Sequence, residues 1–575
     1  MTTDTGLAGN WRRFGSHAFS ATVVVALILV MFFFLVLPVA VIVKQAFFPN
    51  NVFSFTYFTL LFQNSLYTDS IVNSLAIGFA TTILTTLLTL PLALINARCR
   101  YPLKGLLGGL LLVPMIMPPF VGAVGMMRFF SRSSEGLINK ILLDLSIIAE
   151  PIAWLGEGNL FWAVVILEVL HLYPIMYLNM TAALANVDPS LDEVAQTIGV
   201  PWYRRFLNIV LPLARPGYFA GAIIVFIWSV TDLGTPLLVG YHDTVPVQIF
   251  NMVTDAQENY IGYALVFVVI VATVLLFLLS KLIAATNKYQ MMAKGHVTSA
   301  VKTISNRWGI AAIYALFIGT IIFALIPHFS VLMTSISDSW FMTPLPEELT
   351  LAHYKAVFAQ ELPSLSIKNS LMLSGLSTLL DLVLGILIAY IVTRKLIPFA
   401  NVLDGLAMIP LALPGIVLAF GYIVTYTDTV LDPLVSPTLI LVIAYGVRRL
   451  PFMVRSAVAG FEQTNVALEE ASYLCGASRF RTILKITFPL IVANLIAGAL
   501  LCFSYAMLDV SDSLILAMKE SSYPMTKAIY ILFLEQGEGE FLASALGIIG
   551  MVIIAACIVG ASLALGKKIG ELFRA

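Results

Sequence analysis

Charge is scarce in this sequence. Asp, Glu, Lys and Arg make up 11% of its 575 residues, against 59% hydrophobic, where a soluble domain carries about 25% charged residues. So few charges cannot cover a globule of this size, which excludes a soluble fold and leaves a polytopic membrane protein. Net charge is absent as well: 32 basic residues balance 32 acidic ones, so there is no electrostatic footprint for nucleic acid. Cysteine is rare. Cys99, Cys475, Cys502 and Cys557 form no CxxC pair or metal-ligand cluster and read as reduced thiols filling space. No GxxxxGKS/T phosphate loop occurs, since Gly566-Lys567-Lys568 is not one. Any nucleotide-driven work therefore belongs to partners. No repeated Ser/His/Asp or metal set points to a membrane enzyme. Behind Trp11-Arg12-Arg13, the run from Ser20 to Val43 is too long for a signal-peptide core and reads as a retained first span.

What the sequence does have is long apolar runs. A membrane helix needs about 20 mostly apolar residues. Windows of that length predict spans over 20–46, 67–96, 104–128, 159–182, 209–239 and 260–284, then 309–336, 369–393, 399–426, 436–458, 487–516 and 542–566. The expectation is an all-α polytopic fold of twelve transmembrane helices in two sets of six, with both termini cytoplasmic. In that orientation 24 of the 32 lysines and arginines, Arg448, Arg449 and Arg455 among them, count with the inside loops, as the positive-inside rule requires. A wrong span count would scramble this split.

The two sets repeat each other. At an offset of 296, Asn73-Ser74-Leu75 matches Asn369-Ser370-Leu371, Arg98 matches Arg394, Pro114 and Pro118 match Pro410 and Pro414, and Gly125 matches Gly421. Later the offset is 277, pairing Pro174 with Pro451, Glu193 with Glu470, Gly199 with Gly476 and Asp232 with Asp509. The 19-residue difference is an insertion around Ser131–Gly158, with room for a short surface helix. Both halves have an even number of spans, so they enter the membrane alike. Their symmetry axis then runs along the membrane normal, with a pathway at the interface. Residues 1–286 form the first half, 287–307 a basic linker with Lys288, Lys294 and His296, and 308–575 the second half.

Each half also carries one polar helix between apolar spans. Asp192-Glu193-Val194-Ala195-Gln196-Thr197-Ile198-Gly199 is followed 13 residues after its glycine by Pro212. Glu469-Glu470-Ala471-Ser472-Tyr473-Leu474-Cys475-Gly476 is followed at the same distance by Pro489. Ser190 to Glu193 fits a capping box, and Asp188-Pro189 is an alternative helix start. Acids at the N-terminus suit the helix dipole, each glycine ends its helix, and Arg204 and Arg481 follow. Such segments lie in water and touch something there.

This pattern resembles the EAA loop of permease subunits of binding-protein-dependent ABC importers, in two copies, most like the fused permeases of the ferric-iron type. Val194 and Ser472 stand where that family usually has Ala. The resemblance implies coupling helices at about 188–204 and 465–481, each docking on a cytoplasmic ATPase subunit. ATP and Mg belong to those two partners, and this chain binds no cofactor. It also implies an extracytoplasmic binding protein, a bacterial inner-membrane location and ferric iron as cargo, with thiamine, aminoethylphosphonate or polyamine as alternatives. A twelve-span facilitator is the rival fold, but its signature loop is missing between spans 2 and 3, where Arg98 to Lys104 is short.

Two features point at the pathway. The motifs Pro114-Met115-Ile116-Met117-Pro118-Pro119 and Pro410-Leu411-Ala412-Leu413-Pro414-Gly415 break the helix ladder at matching places, and freed carbonyls at membrane depth need protein or water partners. Asp232 and Asp509, with Asp512, Tyr505 and Ser511 near the second, are expected near the outer ends of spans 5 and 11, lining a vestibule or capping helix turns. A hard cation such as ferric iron suits Asp and Tyr oxygens. Glu168 and His171, one turn apart in span 4, read as a hydrogen-bonded pair joining helices. Asp381 and Asp404 read as partners of basic groups near the inner surface.

Overall fold

In the computed structural model, ten helices are long and apolar enough to cross a bilayer, and two bent pairs bring the number to twelve if each pair is one span. The structure describes residues 22–117, 119–130, 136–154, 158–253, 255–256, 259–286, 302–340, 345–396, 400–535 and 537–565. Pro118, the segment around Trp11, the linker over 287–301 and Gly566-Lys567-Lys568 lie outside these residues. Spans 1 to 6 are Thr22–Phe47, Ser65–Arg98, the pair Lys104–Ile116 and Phe120–Met126, Leu160–Ala185, Trp202–Thr231 and Tyr260–Leu279. Spans 7 to 12 are Arg307–Ser335, Glu361–Thr393, the pair Ala400–Leu411 and Gly415–Tyr426, Pro437–Gln463, Phe480–Met507 and Gly539–Gly560.

Each predicted span coincides with one of these ten helices or one of the two bent pairs, and four are broken. Spans 3 and 9 bend by 94° and 101°. The bends fall on the proline motifs: Pro114 and Pro410 sit in 3-10 turns, and Pro414 is extended at the start of Gly415–Tyr426. Proline lacks the N–H that would continue the ladder. Spans 5 and 11 do not run to 239 and 516 as the apolar windows predict. They stop at Thr231 and Met507, and short helices Gly234–Val239 and Ser511–Leu516 follow.

The first span of each half packs into the other half. Val24, Leu27 and Met31 of span 1 are buried among Ile388, Leu403, Leu450 and Phe461. Ile313, Phe317 and Ile321 of span 7 are buried among Leu92, Leu111 and Tyr173. Glycines make room for this exchange, as small residues do where membrane helices approach closely. Gly421 faces Pro38 of span 1, and Gly125 faces Pro327 and Ser330 of span 7. Ser330 Oγ donates to the Gly125 carbonyl at 2.8 Å, and Tyr422 Oη donates to that of Phe34 at 2.7 Å. Within the last part of the linker, Lys302–Thr303 pairs in parallel with Cys99–Arg100, which docks the chain on the first half before span 7 begins.

Two further repeats acquire a role. Ser74 and Ser370 accept from the N–H groups of Val245 and Met525, the first residues of two short helices after the broken spans. Asn73 and Asn369 donate to carbonyls just ahead of them. The insertion does hold a short helix, Leu137–Asp144, whose Asn139 side chain bonds both backbone groups of Ile152 and the indole of Trp154.

Candidate coupling segments and translocation cavity

The two polar segments fold alike. Helices Pro189–Thr197 and Val466–Leu474 end at Gly199 and Gly476, whose φ angles are +82° and +85°. In each, the N–H three residues past the last helical residue returns to a carbonyl in the last turn, Val200 to Ala195 and Ala477 to Ser472. This closure needs a left-handed residue, and glycine takes it without strain. The N-cap corrects the capping-box expectation. Asp188, not Ser190, caps the first helix, accepting from the Ser190 N–H at 2.9 Å, with Pro189 at the first turn. That bond holds the Asp188 carboxyl below the usual carboxylate range. Asn465 does the same in the second copy.

Short helical turns Trp202–Arg205 and Arg479–Thr482 then lead into π-helical stretches, Phe206–Val210 and Ile483–Thr487. The stretches lie just before Pro212 and Pro489. A proline ring collides with the carbonyl four residues back, and the wider turn removes that collision. Beyond the glycine turn that ends each polar helix, the chain is continuously helical from Trp202 into span 5 and from Arg479 into span 11. Glu193 and Glu470 are exposed, with Leu191, Val194, Ile198 and Trp202 exposed around the first and Leu468, Leu474 and Phe480 around the second. Arg204 and Arg481 are also in the exposed parts of these segments.

The other acid of each pair points inward, and here the halves differ. Glu469 is buried, bonded by Arg394 at the end of span 8 at 2.7 Å and by the Thr487 hydroxyl at 3.2 Å. Its counterpart Asp192 pairs with Arg205 at 3.7 Å, and Arg205 also reaches Gln196. Arg98, the counterpart of Arg394, leaves one buried guanidinium nitrogen without a partner.

At the interface of the halves lies a cavity of about 210 Å³, lined from the first half by Met115, Glu168, His171, Trp228 and Asp232, and from the second by Pro410, Pro414, Arg448, Phe452, Tyr505 and Asp509. Five of the predicted pathway residues therefore meet there: Asp232, Asp509, Tyr505, Pro410 and Pro414. Asp512 stands behind them, 2.8 Å from an Arg448 nitrogen. Pro114 lines a smaller neighbouring cavity with His171 and His328.

Asp232 and Asp509 each line the cavity and cap a helix. The Asp232 carboxylate accepts from the Thr235 N–H at 2.8 Å, and Asp509 accepts from the Asp512 N–H at 2.8 Å, so each caps the short helix that follows. Asp509 lies level with the middle of a neighbouring span. Asp509 is paired with both Arg448 and Arg449, and Arg448 lies near the middle of the 27-residue span 10. This corrects the charge count too: Arg448 and Arg449 lie in the span, not in an inside loop, and are neutralised by Asp509 and Asp512. Arg448 lies flat on Gly415, where any side chain would collide with its guanidinium.

The expected Glu168–His171 bond is absent. His171 has the backbone of Pro114 and Met117 as partners, carbonyls freed by the broken span, and Asp232 as its charged neighbour. Glu168 also faces Asp232 and leaves its Oε1 unpartnered. Asp404 does pair with Arg455, at 3.0 Å. Asp381 lies fully buried within span 8, with Arg449 as its charged neighbour and the Cys502 thiol beside it. Cys475 is exposed rather than filling space. The role of Trp228 and the arginines was missed, although the 277 offset already sets Trp228 against Tyr505 and His171 against Arg448.

Comparison with known proteins agrees with this architecture. The profile of the family described as "Binding-protein-dependent transport system inner membrane component" matches twice, over residues 90–288 and 381–569. The ferric transport system permease protein FbpB of Actinobacillus pleuropneumoniae is 28% identical over 93% of this chain and 76% of its own length. A putative ferric transport permease of Haemophilus influenzae is 28% identical over 86% of this chain and 77% of its own length. The molybdenum transport permease ModB of Escherichia coli K12 is 29% identical over 34% of this chain and 85% of its own length.

Proposed function

Because the chain belongs to the family of inner membrane components of binding-protein-dependent transport systems, we propose that it is the fused, two-copy permease of an ATP-driven importer of ferric iron. It is a multi-pass protein of the bacterial inner membrane and a transport subunit rather than an enzyme. Two cytoplasmic ATPase subunits bind ATP and Mg and dock on the segments at 188–204 and 465–481. An extracytoplasmic binding protein delivers the cargo at the opposite face, and both termini are cytoplasmic. The permease units are residues 1–286 and 308–575, joined by 287–307. Ferric iron is favoured over the molybdenum and polyamine cargoes of shorter relatives because the two ferric permeases match across most of the chain.

One observation carries this reading: two exposed helices at equivalent repeat positions, each joined by a sharp glycine turn to a second helix that runs through a π stretch into a span ending at a cavity aspartate. Span 5 has 30 residues, a rod of about 45 Å at 1.5 Å per residue. Closure of the ATPases moves the two exposed helices, and the rods carry that motion to the walls holding Asp232 and Asp509. ATP binding and hydrolysis shift the population between two arrangements of the halves.

The test is reconstitution with the cognate ATPase and loaded binding protein. Glu193→Ala combined with Glu470→Ala removes the exposed acids, and ATP hydrolysis should no longer track iron uptake. Full coupled transport in that double variant would refute the docking role. Transport without any ATPase would refute the importer.

A further inference from the structure

The cavity's two walls differ in charge, and the difference bears on what crosses it. In the second-half wall, Asp509 and Asp512 are met by Arg448 and Arg449. In the first-half wall, His171 and Leu172 stand at the positions equivalent to those arginines. Among the described residues, no lysine or arginine forms an ion pair with Glu168 or Asp232. Asp232 gives one oxygen to the Thr235 N–H. Glu168 is 2% exposed, lines the cavity beside Asp232 and Thr235, and leaves its Oε1 without a hydrogen bond. Burying a carboxyl without a partner is costly, and within a membrane such groups mark ion and substrate routes.

Resting on the import reading above, we propose that Glu168 and Asp232, with His171 beside them, form a contact for a hard metal cation on the translocation route. Carboxylate oxygens suit hard cations, and imidazole suits iron among the transition metals. Among the described residues no three such side chains converge tightly enough to hold a metal ion unaided, so water or an accompanying ligand in the cavity completes the coordination. Weak holding is what passage needs, since an ion bound too well does not leave. An oxyanion would meet carboxylates with no cation to offset them and is disfavoured at this wall.

Terbium(III), a hard trivalent cation, is the probe. Trp228 lines the same cavity and will sensitise terbium emission from an ion held there. With the full chain in lipid nanodiscs, saturable emission is expected, displaced by gallium(III) and not by molybdate. Glu168→Gln should weaken terbium binding at least tenfold, Glu168→Asp should retain most of it, and Trp228→Phe should remove the emission while leaving gallium binding. No saturable emission from the wild-type chain, or displacement by molybdate, would overturn the contact whatever the variants do. So would unchanged binding in Glu168→Gln. Iron uptake by the reconstituted wild-type complex is scored separately: its failure beside an intact terbium site removes the cargo reading and leaves the cation contact standing.

Discussion

Trp228 and Tyr505 occupy equivalent positions in the two halves, and their rings meet edge to face with centroids 6.4 Å apart. Each lies one turn before its cavity aspartate, Asp232 or Asp509. Tyr505 also stacks on Phe452 at 4.9 Å. The contact therefore joins the two walls of the cavity across the interface of the halves. An aromatic pair is worth about 0.5–1.5 kcal/mol beyond its buried area, enough to hold a seal and little enough for a conformational change to break. Trp228→Ala with Tyr505→Ala should make proteoliposomes leak a trapped small cation without ATP, whereas Tyr505→Phe should stay tight. A sealed double variant would place the gate elsewhere.

The unequal anchoring of the coupling segments predicts unequal sensitivity. Removing Arg394 leaves Glu469 buried without its cation, and losing one member of a buried pair costs about 3–5 kcal/mol. The Arg205–Asp192 pair is longer and partly exposed, and such pairs contribute about 0–1 kcal/mol. Arg394→Ala should lower the thermal midpoint and release the second segment to proteolysis. Arg205→Ala should change both little. Equal effects would show that the two levers are held alike.

The apolar spans, the repeat and the two polar helices were legible because each is written in local pattern: apolar runs, fixed spacing, a glycine where the chain turns left-handed. The breaks at Asp232 and Asp509 were not, because a twenty-residue window averages across one polar residue. A count of cations sets Arg448 and Arg449 among the loop charges because it assumes that they face water; only folding brings Asp509 and Asp512 against them. Asp188 and Ser190 offered equivalent local caps, and Pro189 fits the first turn only when Asp188 is the cap. The exchange of spans 1 and 7 leaves no local mark, since the same apolar side chains satisfy lipid or protein.

Gly199 and Gly476 carry the sharp turn that aims each coupling segment back toward its span, and nothing lies within 4 Å of a Cβ added to either. The objection to a side chain there is therefore conformational, not steric packing. A left-handed L-residue costs roughly 1–2 kcal/mol. Gly476→Ala should leave the membrane bundle's thermal midpoint nearly unchanged while weakening copurification with the ATPase several-fold. A loss of bundle stability with docking intact would reverse that assignment.

The exchanged spans give the opposite case, in which glycine matters for space. A Cβ on Gly125 would lie 2.8 Å from Ser330 Cβ and 2.9 Å from the Pro327 carbonyl, and that carbonyl belongs to the backbone of span 7. The nearest atom to a Cβ on Gly421 is Pro38 Cβ at 3.0 Å. Relief at Gly125 therefore requires moving a helix, and overpacking of this kind costs about 1–3 kcal/mol. Gly421→Ala needs a shift of only a few tenths of an ångström. Gly125→Ala should thus lower the detergent-solubilised midpoint more than Gly421→Ala. Pairing Gly125→Ala with Ser330→Gly should recover part of the loss, because it removes the closest of the colliding atoms while leaving the Pro327 carbonyl in place. Recovery near zero would mean that the proline carbonyl alone sets how closely span 7 approaches the first half.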